Sequence, residues 1–284
     1  MDSTKFLIIG SKGQLGRALH KKYPNAQAAD IEELDITDAA SVNSYDWSNV
    51  DVIINAAAYT NVDGAETPEG SAIAWNVNDK AAGYLADIAH KNGITFVHVS
   101  TADVFDGKKK LYSESDVMHP LGVYAKSKAA GDEKILKTAK HYIVRTDSVI
   151  GEGKNFVLTM LDVAKKGIAP TVVADQFIRP TFTNVLVDSI VFLLEKEAPF
   201  GIYNVTNEGE VVSWADFTRE IYKQAGVSMQ VTDTTFAEYF ASKSGVAPRP
   251  LNSVLDLRKI EMLGFKPHDW HGDLKEYLAK ERLS

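Results

Sequence analysis

Phe6-Leu7-Ile8-Ile9-Gly10-Ser11-Lys12-Gly13-Gln14-Leu15-Gly16 is the stretch on which the reading of the fold turns. The apolar run Phe6 to Ile9 reads as a strand buried on both faces. Gly10, Gly13 and Gly16 follow at once, and Gln14 to Lys22 reads as a helix. Strand, glycine turn and helix in that order are the context a dinucleotide-binding turn requires. Glycine reaches dihedrals closed to other residues and lets a phosphate approach the main chain. The helix N-terminus then offers free N–H groups and partial positive charge. Gly10, Gly13, Gln14, Leu15 and Gly16 are therefore candidate cofactor residues. A glycine-rich turn without a ligand is the bland alternative.

Outward from this stretch, short apolar runs alternate with helical ones. Val52 to Asn55, Thr95 to Val99 and Tyr142 to Val144 read as strands, with Ser71 to Lys91 and Tyr124 to Lys137 as helices. That rhythm predicts an α/β fold, a doubly wound parallel sheet of the Rossmann type, with ligands at the C-terminal strand ends. After about residue 150 the rhythm loosens. Thr171 to Val173 and Ile202 to Val205 read as strands, and Val185 to Glu195, Trp214 to Gln224 and Leu274 to Arg282 as helices. The expectation is a nucleotide-binding domain over 1–150 and a smaller, mainly substrate-binding lobe over 151–284, with 171–205 able to return to the first sheet.

Composition narrows the class. A chain of 284 residues, 45% hydrophobic and 24% charged, has ample size for a buried core. Its formal net charge of −7 disfavours nucleic acid and anionic membrane surfaces, which want clustered Lys and Arg. Cys is absent, which excludes thiolate chemistry and fits a cytoplasmic protein. No apolar run is long enough to span a bilayer. The His residues lack ligand-like spacing, so no catalytic metal is expected.

Tyr124-Ala125-Lys126-Ser127-Lys128 carries the candidate chemistry. Four residues apart on a helix, Tyr124 and Lys128 share one face. A phenol with a reference pKa near 10 can protonate a carbonyl oxygen as hydride reaches carbon, and the Lys128 ammonium would lower the Tyr124 pKa. Thr101, in the Ser100-Thr101 pair, can hold that carbonyl in line. Lys128 can also bond the nicotinamide ribose. Asn55 to Tyr59 closes a strand with the small residues Ala56, Ala57 and Ala58, over which a cofactor can lie; tight strand–helix packing is the alternative. Asp30, after a second expected strand, can bond the adenosine ribose and would favour NADH, while Lys12 and Arg17 are near enough in sequence to meet a 2′-phosphate. Asp35 and Ile36 can flank the adenine. The choice between NADH and NADPH stays open.

With these residues in place, the chain resembles the extended short-chain dehydrogenases/reductases, and among them the dTDP-4-dehydrorhamnose reductases. The resemblance rests on Gly13-Gln14-Leu15-Gly16, Leu34-Asp35-Ile36-Thr37, Asn55 to Thr60 with Asp63 and Glu66, Ser100-Thr101 with Val104 to Gly107, and Val123-Tyr124 with Lys126 and Lys128. Later blocks continue it: Val144-Arg145-Thr146, Asn155-Phe156-Val157, Asp175-Gln176 with Pro180-Thr181, Ser213-Trp214, and Arg249-Pro250 with Asn252-Ser253. It implies reduction of the 4-keto group of a dTDP-linked 6-deoxyhexulose with NADPH or NADH, NADPH being favoured on family grounds. Thr101, Tyr124 and Lys128 match the family's catalytic set. Thr101, Ala102, Asn155 and Arg249 are the substrate-side candidates, Arg249 as a partner of the diphosphate.

Some positions depart from the family pattern. Ala102 and Asp103 stand where it reads Asp-Tyr, Asp147-Ser148 where it reads Ser/Ala-Trp, and Ile178 where it reads Gly. The changes cluster at the expected substrate mouth and imply an altered sugar preference. A Mg²⁺ that some members hold with a Glu on the first helix is not carried over, because Ala18 stands there. A homodimer stays open. So do two other readings: a reductase or epimerase acting on another nucleotide sugar, and a non-catalytic NAD(P)-binding regulator.

Overall fold

The fold comes from a computed structural model that describes residues 1–241 and 243–281. The chain opens with β1 (Phe6–Ile9), α1 (Gln14–Lys22), β2 (Gln27–Ala29), α2 (Ala39–Ser44) and β3 (Val52–Asn55). A helical stretch follows, then β4 (Thr95–Thr101), α5 (Val123–Ile135) and β5 (His141–Thr146). Six parallel strands form one sheet in the order β10-β5-β4-β3-β1-β2, with β10 spanning Gly201–Asn204. From β1 the chain first adds β2 on one side and then β3 on the other. That reversal leaves a crevice at the C-terminal ends of β1 and β3.

Side chains of successive strand residues face opposite ways, so β1 supplies two cores. Phe6 and Ile8 join Leu15 and Leu19 of α1 and Val185 to Leu194 of α7 (Thr183–Glu195). Leu7 and Ile9 join Ile53, Phe96, Ile143 and the side chains of Leu85, Ile88 and Ala89. Each such buried side chain contributes roughly 1.5–3 kcal/mol. The sheet is thus covered on both faces, as its apolar strands require.

The stretch expected as one helix over 71–91 is helical throughout but not uniform. α3 (Pro68–Ala74) passes into a π-helical segment, Trp75–Ala81, and then α4 (Ala82–Asn92). Thr67 caps α3 by accepting from the Gly70 N–H, and Gly93, with φ of 68°, ends α4. The wider segment carries Asn78, which bonds the Tyr59 backbone at both N–H and C=O and donates to Ser127 Oγ in α5. Departures of this kind are frequent near functional sites. α5 itself ends at Ile135, short of the expected Lys137, as the chain turns through Leu136.

Beyond β5 come β6 (Val149–Ile150), α6 (Phe156–Lys165), β7 (Thr171–Val173), β8 (Phe177–Ile178) and β9 (Thr181–Phe182). After α7 and β10 follow β11 (Val212–Ser213), α8 (Trp214–Ala225), β12 (Thr232–Thr234), α9 (Phe236–Phe240), α10 (Arg258–Met262) and α11 (Trp270–Glu281). Three small sheets, β6·β9, β8·β11 and β7·β12, surround a third core containing Val157, Phe217, Ile221, Trp270 and Leu274. Of 171–205, β10 and α7 belong to the large sheet and its cover, whereas Thr171–Val173 pairs with β12. The helix expected over 274–282 begins four residues earlier, at Trp270, and Arg282 lies outside the described residues. Among the described residues, no helix is long and apolar enough to cross a membrane.

Candidate active site

The crevice at β1 and β3 is a cavity of about 440 Å³, lined by Gly10, Gly13, Asp30, Asp35, Ile36 and Ala56 to Ala58 among others. Gly10 has φ of 76°, and a Cβ there would lie 2.6 Å from the Ala57 nitrogen. A Cβ at Gly16 would lie 2.1 Å from the Gly10 carbonyl oxygen. Only glycine permits so tight a turn. Gly13 caps α1 without any side-chain hydrogen bond, so the first-turn N–H groups are left for a ligand. This cradle fits a dinucleotide diphosphate.

Not every expected cofactor residue points inward. The Leu15 side chain lies in the core against β1 and β3. Gln14 bridges α1 to the later loop, accepting from the Gly151 N–H at 2.8 Å and donating to the Lys154 carbonyl. The Asp35 carboxylate is turned onto its own loop, bonded to Thr37 at N–H and hydroxyl. Asp30 stands at the end of β2, where its Oδ2 accepts from the Lys12 N–H at 3.0 Å. The Lys12 ammonium is 2.6 Å from Glu32, and the Arg17 guanidinium donates to the carbonyls of Lys12 and Glu152. Both cations are therefore engaged within the protein, and the Asp30 carboxylate lines this edge of the cavity.

α5 carries Tyr124 and Lys128 into the interior. Its N-terminus begins at Gly122, which has no side chain to cap it. The Glu66 carboxylate does so instead, accepting from the Val123 N–H at 2.8 Å. Tyr124 is 9% exposed and packs with Ala65, Ala74, Tyr59 and Val62. Burial pushes its phenol above the ordinary range, and Asp103 adds to this, while the Thr101 hydroxyl acts the other way. The phenol is thus firmly protonated at neutral pH. Thr101 also accepts from the Asp103 N–H at 3.1 Å, which fixes its rotamer.

Lys128 differs from its sequence-based expectation. Its side-chain nitrogen points to β4, 3.0 Å from His98 Nε2 and 2.7 Å from the Val99 carbonyl. Burial brings its pKa down to about 8, with Asp132 pulling upward. His98 is buried too and held well below its usual value by burial and by Lys128. Its Nδ1 lies 3.1 Å from Asn55 Nδ2, and Asn55 Oδ1 accepts from the Ala57 N–H in the cofactor cradle. Neither His98 nor Asn55 was singled out as polar machinery from sequence. The signal was there: each is a polar residue inside an otherwise apolar strand, and the two are register partners.

A second cavity has a volume of about 630 Å³. Val62, which packs on Tyr124, lines it, together with Asp103, Asp147, Ser148, Ser253 and Arg249. Apolar walls come from Phe156, Met160, Trp214 and Phe240, none of them an expected substrate residue. Arg249 Nη1 is 2.8 Å from Asp63, and its guanidinium lies over the Phe240 ring. Asp103 and Asp147 are raised to about 6 and about 7, mainly by burial, with Asp103 adding to the rise at Asp147. Ser253 donates to Asp147 at 2.6 Å.

Two expected substrate residues lie elsewhere. Ala102 is fully buried in a cluster with Val104, Phe105 and Leu255 and does not reach the cavity. In the short 3-10 turn after β4, it is Asp103 that faces the cavity and Ala102 that faces the core. Asn155 caps α6, accepting from the Leu158 N–H and donating to the carbonyls of Gly151 and Gly153 and to the Tyr277 hydroxyl. Its polar atoms are used up inside the fold. Trp214 packs on Phe156 behind its Ser213 cap and also forms cavity wall.

Comparison with known proteins gives a consistent result. The family profile described as the RmlD substrate binding domain matches residues 4–283. The chain is 41% identical to a dTDP-4-dehydrorhamnose reductase of Aggregatibacter actinomycetemcomitans, covering 97% of this chain and 98% of the relative. A crystal structure of a dTDP-4-dehydrorhamnose reductase of Clostridium acetobutylicum, an RfbD ortholog, superposes with a TM-score of 0.89 at 33% identity over 98% of this chain and 99% of that one. The dTDP-4-dehydrorhamnose reductase of Bacillus anthracis, crystallised in complex with NADP, gives 0.89 at 29% identity over 97% and 98%.

Proposed function

Because the chain belongs to the RmlD substrate-binding-domain family, we propose that it is an NAD(P)H-dependent reductase of the 4-keto group of a nucleotide-linked deoxysugar, turning dTDP-4-dehydro-L-rhamnose into dTDP-L-rhamnose. One observation supports this reading: the Thr101 hydroxyl is hydrogen-bonded to the Tyr124 phenol, Val62 packed on Tyr124 lines the cavity that contains Arg249, and Lys128 is linked through His98 and Asn55 to the Ala57 N–H of the glycine-lined cradle. When bound, the nicotinamide cofactor supplies the hydride. Tyr124, protonated at neutral pH, gives its proton to the carbonyl oxygen. Thr101 bonds the same oxygen and steadies the phenolate that remains. Arg249 faces the diphosphate, and the apolar walls take the base and sugar faces. Such a reaction draws on the cell's reduced nicotinamide and belongs in the cytoplasm.

The Asp30 carboxylate at the cavity edge favours NADH over NADPH, since a 2′-phosphate would meet it with Lys12 already paired to Glu32. A second reading, the same chemistry on a different sugar, is supported by Asp103 and Asp147. Two carboxyl groups in the substrate cavity suit a ring rich in hydroxyl or ammonium donors. Oxidation of NADH or NADPH on adding dTDP-4-dehydro-L-rhamnose tests the reaction. Turnover supports the first reading, and turnover of another 4-keto sugar alone supports the second.

A further inference from the structure

Lys128, His98 and Asn55 form a buried chain from the catalytic helix to the cofactor cradle, and the exposures of all three are 2% or less. Its proton positions can be deduced. Asn55 Oδ1 is occupied by the Ala57 N–H, so the Asn55 group facing His98 Nδ1 at 3.1 Å is the NH₂. A neutral imidazole has one N–H and one lone pair. Nδ1 must accept from Asn55, which places the proton on Nε2. That N–H points at Lys128 Nζ, 3.0 Å away. An ammonium has no lone pair to receive it. A neutral amine does, and it still donates to the Val99 carbonyl at 2.7 Å.

We propose that Lys128 is a neutral amine in the cofactor-free protein and takes up one proton as the nicotinamide cofactor binds, with His98 and Asn55 as the positioning residues that couple this proton to the Ala57 N–H of the cradle. The step balances with a proton from solvent. A cofactor oxygen that takes over the Ala57 N–H releases Asn55 Oδ1, which turns to His98. The imidazole proton moves from Nε2 to Nδ1, and the Nε2 lone pair then accepts from the new ammonium. Only N–H bonds change. The added positive charge lies on α5 one helical turn from Tyr124. This rests on the cofactor reading above.

The surrounding charges agree. Burial brings Lys128 down to about 8, where the ammonium still predominates at neutral pH, and the donor-against-donor contact lowers it further toward the neutral amine. On α5, Asp132 lies one turn beyond Lys128 and Tyr124 one turn before it. Asp132 is bonded to Ser100 of β4 and Arg145 of β5, and Tyr124 is near Asp103 and Asp147. The π-helical segment packed on α5 presents Asn78 to Ser127, and its Asp79 is paired with Lys134. Asp132 is thus the nearest countercharge, and it is shared with Arg145.

Calorimetry of NADH binding in buffers of different ionisation enthalpy counts the protons exchanged. Run between about pH 6 and pH 9, it is expected to give net uptake, largest above the free Lys128 value. NADH affinity then falls by up to about tenfold per pH unit in that range. Asn55→Asp, whose carboxylate accepts from Ala57 and His98 Nδ1–H together, is expected to bind NADH with little uptake. Should that variant misfold, His98→Gln serves the same purpose, its amide oxygen accepting from the ammonium. Binding without proton exchange, or uptake unchanged in the variant, overturns the inference and leaves the reductase reading standing. Absence of binding overturns both.

Discussion

Arg145 Nε reaches Asp132 Oδ2 at 3.3 Å, and neither side chain is more than 1% exposed. This ion pair joins α5 to β5 directly beneath the catalytic face. Removing one member of a buried pair leaves the other uncompensated, at a cost of about 3–5 kcal/mol. Asp132→Asn is expected to lose stability on that scale in chemical denaturation. A loss under about 1 kcal/mol would mean that the pair is solvated or dispensable.

The glycine turn gives a second expectation. Gly16→Ala places a methyl 2.1 Å from a backbone oxygen that no side-chain motion can move away. The turn must open, so nicotinamide cofactor affinity should fall at least about tenfold, with an overpacking cost of roughly 1–3 kcal/mol in stability. Fluorescence titration of NADH against the variant checks this. Unchanged affinity would place the cofactor elsewhere.

Cofactor choice gives a third. Asp30→Ala removes the carboxylate from the ribose edge and frees the Lys12 N–H. The ratio of NADPH to NADH affinity is expected to rise roughly tenfold, the scale of one partly exposed charge contact. A ratio that does not move would show that Asp30 does not meet the ribose.

Stability should depend on pH through Asp103 and Asp147. Both are raised, to about 6 and about 7, so the folded state holds their protons more tightly than the unfolded chain does. Their contribution is complete below the unfolded value of about 3.9 and is lost as pH rises through the folded values. Melting temperature should therefore carry a downward component between about pH 4 and pH 7. Asp147→Asn should flatten the upper part of that slope. An identical slope in the variant contradicts the assignment.

Much of this was legible before the fold was known. The Phe6–Ile9 run, the glycines after it and the Ala56 to Ala58 strand end announced the cradle, because a parallel-sheet strand is apolar throughout and a tight phosphate turn needs glycine. Tyr124 and Lys128 were legible through helical spacing. What spacing does not reveal is where a side chain finds its partner. Lys128 turned to β4 because a buried nitrogen takes the nearest polar partners, the Val99 carbonyl and His98, thirty residues away in sequence. Asn155 resembled a substrate contact and proved to be a helix cap, a role Asn fills equally well. Ala102 was taken by the core because a 3-10 turn sends its neighbour Asp103 to the cavity. Thr171–Val173 reads as a strand, but its partner, β12, comes sixty residues later and is not apolar.

The central claim is that the Tyr124 phenol is the proton donor in a nicotinamide-dependent carbonyl reduction. The direct measurement is turnover of dTDP-4-dehydro-L-rhamnose by Tyr124→Phe beside the native protein, with NADH affinity determined for both. The account predicts a fall in kcat of about 10²–10⁴ with cofactor binding retained, the loss typical of a general acid. A variant that binds NADH and turns over at the native rate would contradict it.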